Sequence, residues 1–170
     1  HNPSGPFRGG KYSAYEAGTR VPTIVNWPGT VQPGENDALI SQVDFMASFA
    51  RLTGQKLKNQ EAPDSYNMLD VLLGESTDGR DMLVEESFTL SLREDGWKYI
   101  RPHTGAVPDW LRNKDVETGL TRDPQLYHIT EDPAEQHNRA TEYNQKVTSM
   151  EALLQKIIDS GGSRPGYKKK

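Results

Sequence analysis

Asp95-Gly96 is the feature that most restricts how this chain folds. The pair suits a two-residue type I′ hairpin loop, in which both residues take positive φ and Gly does so without strain. Before it, Met82, Val84, Glu86, Phe88, Leu90 and Leu92 alternate with Leu83, Glu85, Ser87, Thr89 and Ser91, which predicts one strand over 82–92. Trp97-Lys98-Tyr99-Ile100-Arg101 is the return strand. A two-residue loop sets Glu94 opposite Trp97 and Leu92 opposite Tyr99, so Leu92, Tyr99 and Trp97 share one face. Gln125-Leu126-Tyr127-His128-Ile129 predicts a further strand, followed by a turn at Glu131-Asp132-Pro133. A helix from about Thr141 to Asp159 carries the stripe Tyr143, Val147, Met150, Leu153, Leu154, Ile157 and Ile158, and Gly161-Gly162 stop it. This half reads as a small antiparallel sheet with a packed C-terminal helix.

The earlier half is less regular. His1 to about Gly18 is rich in Gly, Pro and small residues and reads as ordered loop. Val21-Pro22-Thr23-Ile24-Val25-Asn26-Trp27 predicts a strand, with Pro22 at its start or on a sheet edge. Ser41 and Asp44 have the spacing of a capping box. The helix behind them carries Val43, Phe45, Met46, Phe49, Ala50 and Leu52 and ends at Gly54. A polar connector over 55–64 leads to Ser65, expected to cap a short helix with Met68, Leu69, Leu72 and Leu73, closed by Gly74. Residues 102–123 are irregular, and a connection of that length is more often functional or partner-binding than idle.

Composition decides which functions remain open. Leu, Ile, Val and Phe make up about a fifth of the chain, near the border of disorder. Against disorder stand a net charge of only −4 and an aromatic set of three Trp, seven Tyr and four Phe. The chain is therefore folded but core-poor, with a mean hydropathy of −0.79. No run of apolar residues is long enough to span a membrane. A sequence pI near 5.6 with dispersed charge gives no footprint for nucleic acid. Lys168-Lys169-Lys170 follows a Gly- and Pro-rich stretch, so 163–170 is expected to be a solvated tail. The absence of Cys excludes disulfides, thiolate catalysis and zinc-thiolate sites without fixing the compartment. The chain begins at His1, so the lack of a signal segment says nothing about export.

Arg8-Gly9-Gly10-Lys11 is the most suggestive short segment. Two glycines permit close backbone approach, and flanking cations favour an oxyanion, although the spacing is not that of a P-loop. Its context resembles the formylglycine-dependent sulfatases. The segments that carry the resemblance are Gly9-Gly10-Lys11, Tyr15-Glu16-Ala17-Gly18-Thr19-Arg20-Val21-Pro22 and Trp27-Pro28-Gly29. They are followed in order by Ser41-Gln42-Val43-Asp44, Trp97-Lys98-Tyr99-Ile100 and Leu126-Tyr127-His128-Ile129-Thr130-Glu131-Asp132-Pro133-Ala134-Glu135. Ala17 stands where many members have Gly, which requires only an ordinary φ there.

The resemblance implies an α/β protein. Residues 1–62 would be the C-terminal part of an alkaline-phosphatase-like α/β/α domain, 63–162 an α+β subdomain and 163–170 a tail. It implies sulfate-ester hydrolysis, most naturally on a sulfated carbohydrate or glycosaminoglycan, through a hydrated formylglycine beside calcium. It implies a sulfate contact for Lys11, whose alternative is a solvated surface lysine. The family nucleophile is a Cys or Ser in a C/S-x-P-x-R motif. With no Cys present, and no Ser expected to have Pro two and Arg four positions later, nucleophile and metal ligands are expected upstream, in a missing N-terminal part of the same protein. This chain alone is then inactive. A periplasmic or secreted location is expected from the family.

Other residues carry weaker readings. Glu16 and Arg20 are expected to pair as supports of the loop, and Asp44 to be a cap rather than an acid catalyst. His128 and His137 are expected to be structural or solvated, and His1 to sit near the metal-binding segment. Arg101 and His103, with Asp109, Trp110 and Arg112, suit a sulfated sugar through charge pairing and ring stacking; the alternative is a solvated loop. Two other functions stay open: a phosphodiesterase or phosphonate hydrolase of the same superfamily, and a noncatalytic module binding sulfated glycan.

Overall fold

The computed structural model describes residues 3–112, 114–167 and 169, without the side chain of Arg112. The chain divides into two compact units, His1–Val21 with Val84–Leu154, and Pro22–Leu83 with Gln155–Lys170. Its helices are α1 (Glu16–Thr19), α2 (Phe45–Leu52), α3 (Leu69–Leu72), α4 (Asp109–Arg112) and α5 (Asn144–Ser160). Its strands are β1 (Met82–Glu86), β2 (Leu90–Glu94), β3 (Trp97–Ile100) and β4 (Gln125–His128), which form one sheet in the order β1-β2-β3-β4.

In the first unit the hairpin forms as expected. Asp95 and Gly96 take φ of +50° and +75°, and the antiparallel register pairs Glu94 with Trp97 and Leu92 with Tyr99. Leu92, Tyr99, Ile100 and Leu126 are buried. The strand expected over 82–92 is instead two strands. Ser87 N–H donates to the Thr89 carbonyl at 3.0 Å, and Phe88 takes φ +60°, so the chain turns back between β1 and β2. Period-two alternation continues on both sides of so tight a turn and does not reveal it. β4 pairs antiparallel with β3, with Lys98 opposite Tyr127. Met150 and Leu154 of α5 are buried, while Lys146 Nζ meets Glu94 at 2.9 Å and Arg101 pairs with Glu151.

The first 21 residues fold with this sheet: Ala14 and Tyr15 join Ile100, Tyr127 and Ile129 in one core cluster. The loop expected up to Gly18 contains a single helical turn, α1, ended where Arg20 N–H donates to the Glu16 carbonyl. Tyr15 and Tyr127 hydroxyls both donate to Gln125 Oε1 at 2.9 Å, so the polar groups inside this cluster are satisfied.

In the second unit the helix after Ser41 is present. A 3-10 turn at Gln42–Asp44 leads into α2, the Asp44 carboxylate accepts from Ser41 N–H at 2.8 Å, and Gly54 ends it at φ +71°. Its apolar face lies in solvent: Val43, Met46, Phe49 and Leu52 are all exposed, Met46 by 61%. The strand expected at 21–27 is absent and Ile24 is 89% exposed. β-branched residues favour extended backbone, but a strand also needs a neighbour to complete its ladder, and none among the described residues lies alongside. Ser65 does not cap α3; its buried hydroxyl accepts from Ala47 N–H at 2.8 Å, and Asn67 Oδ1 takes Leu69 N–H at 3.2 Å instead. The expected tail is fastened at its start. Ser163 N–H donates to Asp64 at 2.8 Å, and the Arg164 guanidinium donates to the carbonyls of Lys58, Asn59 and Glu61.

Candidate functional site

The Gly9-Gly10 loop is held by contacts that only glycine allows. Gly9 has φ +81°, and a Cβ there would sit 2.3 Å from Ser13 Oγ; a Cβ on Gly18 would lie 2.0 Å from the Ser13 carbonyl oxygen. Ser13 Oγ donates to the Glu117 carbonyl at 2.6 Å, and Ala17 N–H closes the loop onto the Arg8 carbonyl at 3.0 Å.

The two cations flanking the glycines have different roles. Arg8 is committed: Nε and Nη2 donate to Glu117 at 2.9 and 3.1 Å, Nη1 donates to the Glu135 carbonyl at 2.7 Å, and its guanidinium covers the Tyr15 ring. It therefore holds the loop and is not an anion ligand. Lys11 is exposed, and its Nζ lies 5.0 Å from the centre of the Tyr12 ring. Among the described residues no carboxylate pairs with it.

Beneath the loop is a buried ionic cluster. Lys98, in the middle of β3, is wholly buried, with Nζ 2.9 Å from Glu16 Oε1, 3.5 Å from Glu135 Oε1 and 3.6 Å from Glu85 Oε2. The Glu135 carboxylate also accepts Glu16 N–H at 2.6 Å. Arg20 Nε donates to Glu16 at 2.6 Å, so the expected pair is present, and Arg93 adds a cation at 3.5 Å. Burial raises the Glu16 carboxyl, but Lys98 and Arg93, with hydrogen bonds from Arg20 and Lys98, bring it below its ordinary value. Burial dominates at Glu135 and pushes it up to about 7 against the pull of Lys98. Burial likewise works against the Lys98 ammonium, yet Glu85, Glu16 and Glu135 hold it above its ordinary value. The loop carrying Lys11 is thus anchored through Glu16 to β3 and to the turn after β4. Reading the residues one by one missed Lys98 and Glu135; the available signal was a lysine within a strand, between the aromatics Trp97 and Tyr99.

The other expected residues are placed as follows. Arg101 Nε donates to Glu151 Oε2 at 3.1 Å. His103 Nδ1 lies 3.1 Å from the Phe88 carbonyl oxygen, and its buried Nε2 has no hydrogen-bond partner. Trp110 is exposed on α4, and the Arg112 side chain, like His1, lies outside the described residues. His128 packs edge-on against Trp97 at 4.6 Å and His137 is largely exposed beside Asp132. Asp44 caps as expected and also forms a buried bidentate pair with Arg80, which sequence reading missed. A groove of about 710 Å³ in the second unit, lined by Lys56, Leu57, Tyr66 and Met68 among others, contains none of these expected site residues.

One expectation about the nucleophile needs correction. Ser4-Gly5-Pro6-Phe7-Arg8 does have the S-x-P-x-R spacing. Its Arg8 is committed to Glu117 and Glu135, and Ser4 lies in a turn closed by Phe7 N–H on the Ser4 carbonyl. Among the described residues no group of three His, Asp or Glu is placed to hold a metal ion. These residues therefore do not fit a formylglycine–calcium centre.

The glycine loop that carries Lys11 thus rests, through Glu16, on a buried ionic cluster of the antiparallel sheet. The chain belongs to the sulfatase family, whose family model, Sulfatase, matches residues 1–55. It is 42% identical over 160 residues to an N-acetylgalactosamine-6-O-sulfatase of Bacteroides thetaiotaomicron, covering 92% of this chain and 31% of that protein. It is 28% identical over 147 residues to human arylsulfatase A, covering 79% of this chain and 29% of that one. A solved structure from work on glycosaminoglycan metabolism by Bacteroides thetaiotaomicron superposes with a TM-score of 0.84 at 42% identity, covering 90% of this chain and 32% of that chain. The chain thus spans about a third of the length of the relatives it matches.

Proposed function

We propose that this chain is the C-terminal third of a sulfatase that hydrolyses the sulfate ester of a sulfated carbohydrate, with Lys11 as a sulfate contact. The observation that carries the reading is an exposed ammonium, unpaired with any described carboxylate, at the tip of a loop anchored by Glu16, Lys98 and Glu135. As the ester S–O bond breaks, its electron pair passes to the leaving sugar oxygen, and a cation positioned on the anionic sulfate oxygens lowers the barrier by offsetting their repulsion of the nucleophile. The name of the Bacteroides relative supports a sulfated sugar. Formylglycine and calcium, expected of the family, would be supplied by other segments of the whole protein. Those segments would also cover the exposed face of Val43, Met46, Phe49 and Leu52. On this reading 1–62 complete the large α/β domain, which the family-model match over 1–55 supports, and 63–162 form the smaller subdomain. Arg101 and His103 are proposed as sugar contacts, Arg101 preorganised by Glu151 and His103 by the Phe88 carbonyl at its Nδ1.

The full-length protein should release sulfate from N-acetylgalactosamine 6-sulfate, and the purified 170-residue chain should not. Hydrolysis of a phosphodiester or phosphonate but of no sulfate ester would point to the other superfamily reaction. An isolated chain that binds sulfated oligosaccharide calorimetrically, from a parent without esterase activity, would point to a binding module.

A further inference from the structure

Three aromatic rings form a row beside Lys11. Tyr12, whose ring lies under the Lys11 ammonium, meets Trp110 edge-on at 5.0 Å between ring centres. Trp110 in turn meets Phe88 at 6.0 Å, and the carbonyl of Phe88 touches His103. Trp110 and Phe88 are substantially exposed. Tyr12 and Phe88 both hold positive φ, +80° and +60°. That conformation is strained for a non-glycine residue, and such strain concentrates where function requires a side chain in a particular place. Exposed aromatics are an unfavourable way to finish a surface, and two strained backbones that deliver rings to one patch are a stronger sign of use.

We infer that Tyr12, Trp110 and Phe88 form a platform for the sugar ring of the substrate, set so that its sulfate meets Lys11. This deepens the sulfatase reading and rests on it. An aromatic row next to one uncompensated cation matches a ligand with an apolar face and an anionic group. The C–H face of a pyranose packs on π surfaces while its polar edge stays in water. Charge complementarity selects a sulfated ring over a neutral one, and rings inclined at 76° and 55° to one another line an apolar patch against which one sugar ring can pack.

The test uses the full-length enzyme with two probes: N-acetylgalactosamine 6-sulfate as substrate and inorganic sulfate as competing product. Trp110→Ala should raise KM for the sugar about tenfold, the size of one aromatic contact, and leave inhibition by inorganic sulfate unchanged. Phe88→Gly removes a ring and relieves its positive φ, so it should raise KM while leaving the melting temperature equal or higher. If both variants keep KM within about twofold of wild type, the platform is wrong, even where Lys11→Ala still lowers kcat/KM and the sulfatase reading stands. A large loss of thermal stability in Trp110→Ala with unchanged KM would also overturn it, by showing that the patch packs against the rest of the protein. Loss of sulfate inhibition in Lys11→Ala but not in Trp110→Ala would separate the two roles as proposed.

Discussion

Replacing Lys98 by Met should lower the stability of the first unit by about 3–5 kcal/mol, because removing one partner of a buried ionic group leaves the others uncompensated. Glu16 and Glu135 are fully buried and Glu85 nearly so, and without the ammonium only Arg20 and Arg93 among the described residues remain to face them. Hydrogen exchange at Glu16 N–H, which donates to Glu135, reports the loss directly. The effect has a definite pH dependence. Glu16 is held below its ordinary pKa, so its contribution is present above the unfolded value and disappears as pH falls through the folded one. The gap between wild type and Lys98→Met should therefore narrow in acid, where the stranded carboxyls protonate. Glu135, raised to about 7, acts oppositely: its contribution is complete below its unfolded value and disappears as pH rises through about 7. A loss under about 1 kcal/mol at neutral pH would contradict this account of the cluster.

Arg80→Leu should have a comparable effect in the second unit, again about 3–5 kcal/mol. Arg80 and Asp44 side chains are each 1% exposed. Arg80 Nε donates to Asp44 Oδ2 at 2.8 Å, and Nη2 donates to the other carboxylate oxygen and to the Asp64 carbonyl. The guanidinium also lies 3.9 Å from the centre of the Tyr66 ring. Asp44 meanwhile takes the backbone N–H groups of Ser41 and Tyr66, both at 2.8 Å. Without Arg80 this carboxylate keeps two amide donors but loses its only described counter-charge. A urea-denaturation cycle of Arg80→Leu, Asp44→Asn and the double variant should show strong coupling, with the double variant less damaged than the two single losses predict. Additive losses would mean that the pair contributes no interaction of its own.

These two clusters also show what was legible in the sequence. The Asp95-Gly96 hairpin, the α2 cap and the glycine stops are local: backbone preference and nearest neighbours decide them. The ring pairing across β2 and β3 followed from the two-residue loop. The Lys98–Glu16 contact joins residues 82 apart, and Arg80–Asp44 joins residues 36 apart; no periodicity records such pairings. The absent strand at 21–27 failed for a related reason. Val, Ile and Thr state a preference for extension, but ladder formation depends on a neighbouring strand. Of the candidate site, the Gly-Gly-Lys context singles out Lys11, whose role stands as a proposal, whereas the commitment of Arg8 to Glu117 and Glu135 left no local signal, since both partners are more than 100 residues away.

The same core-poor composition now has a physical counterpart: the apolar stripe of α2 forms a helix and remains uncovered. Whatever covers it, the contact proposed between this segment and the sulfate group is the Lys11 ammonium. Lys11→Ala in the full-length enzyme tests that most directly, because Lys11 is exposed and pairs with no described carboxylate, so its removal should leave the melting temperature unchanged. The account predicts a fall in kcat/KM on N-acetylgalactosamine 6-sulfate of about tenfold or more, at least about 1.4 kcal/mol of transition-state stabilisation. An unchanged kcat/KM would contradict it.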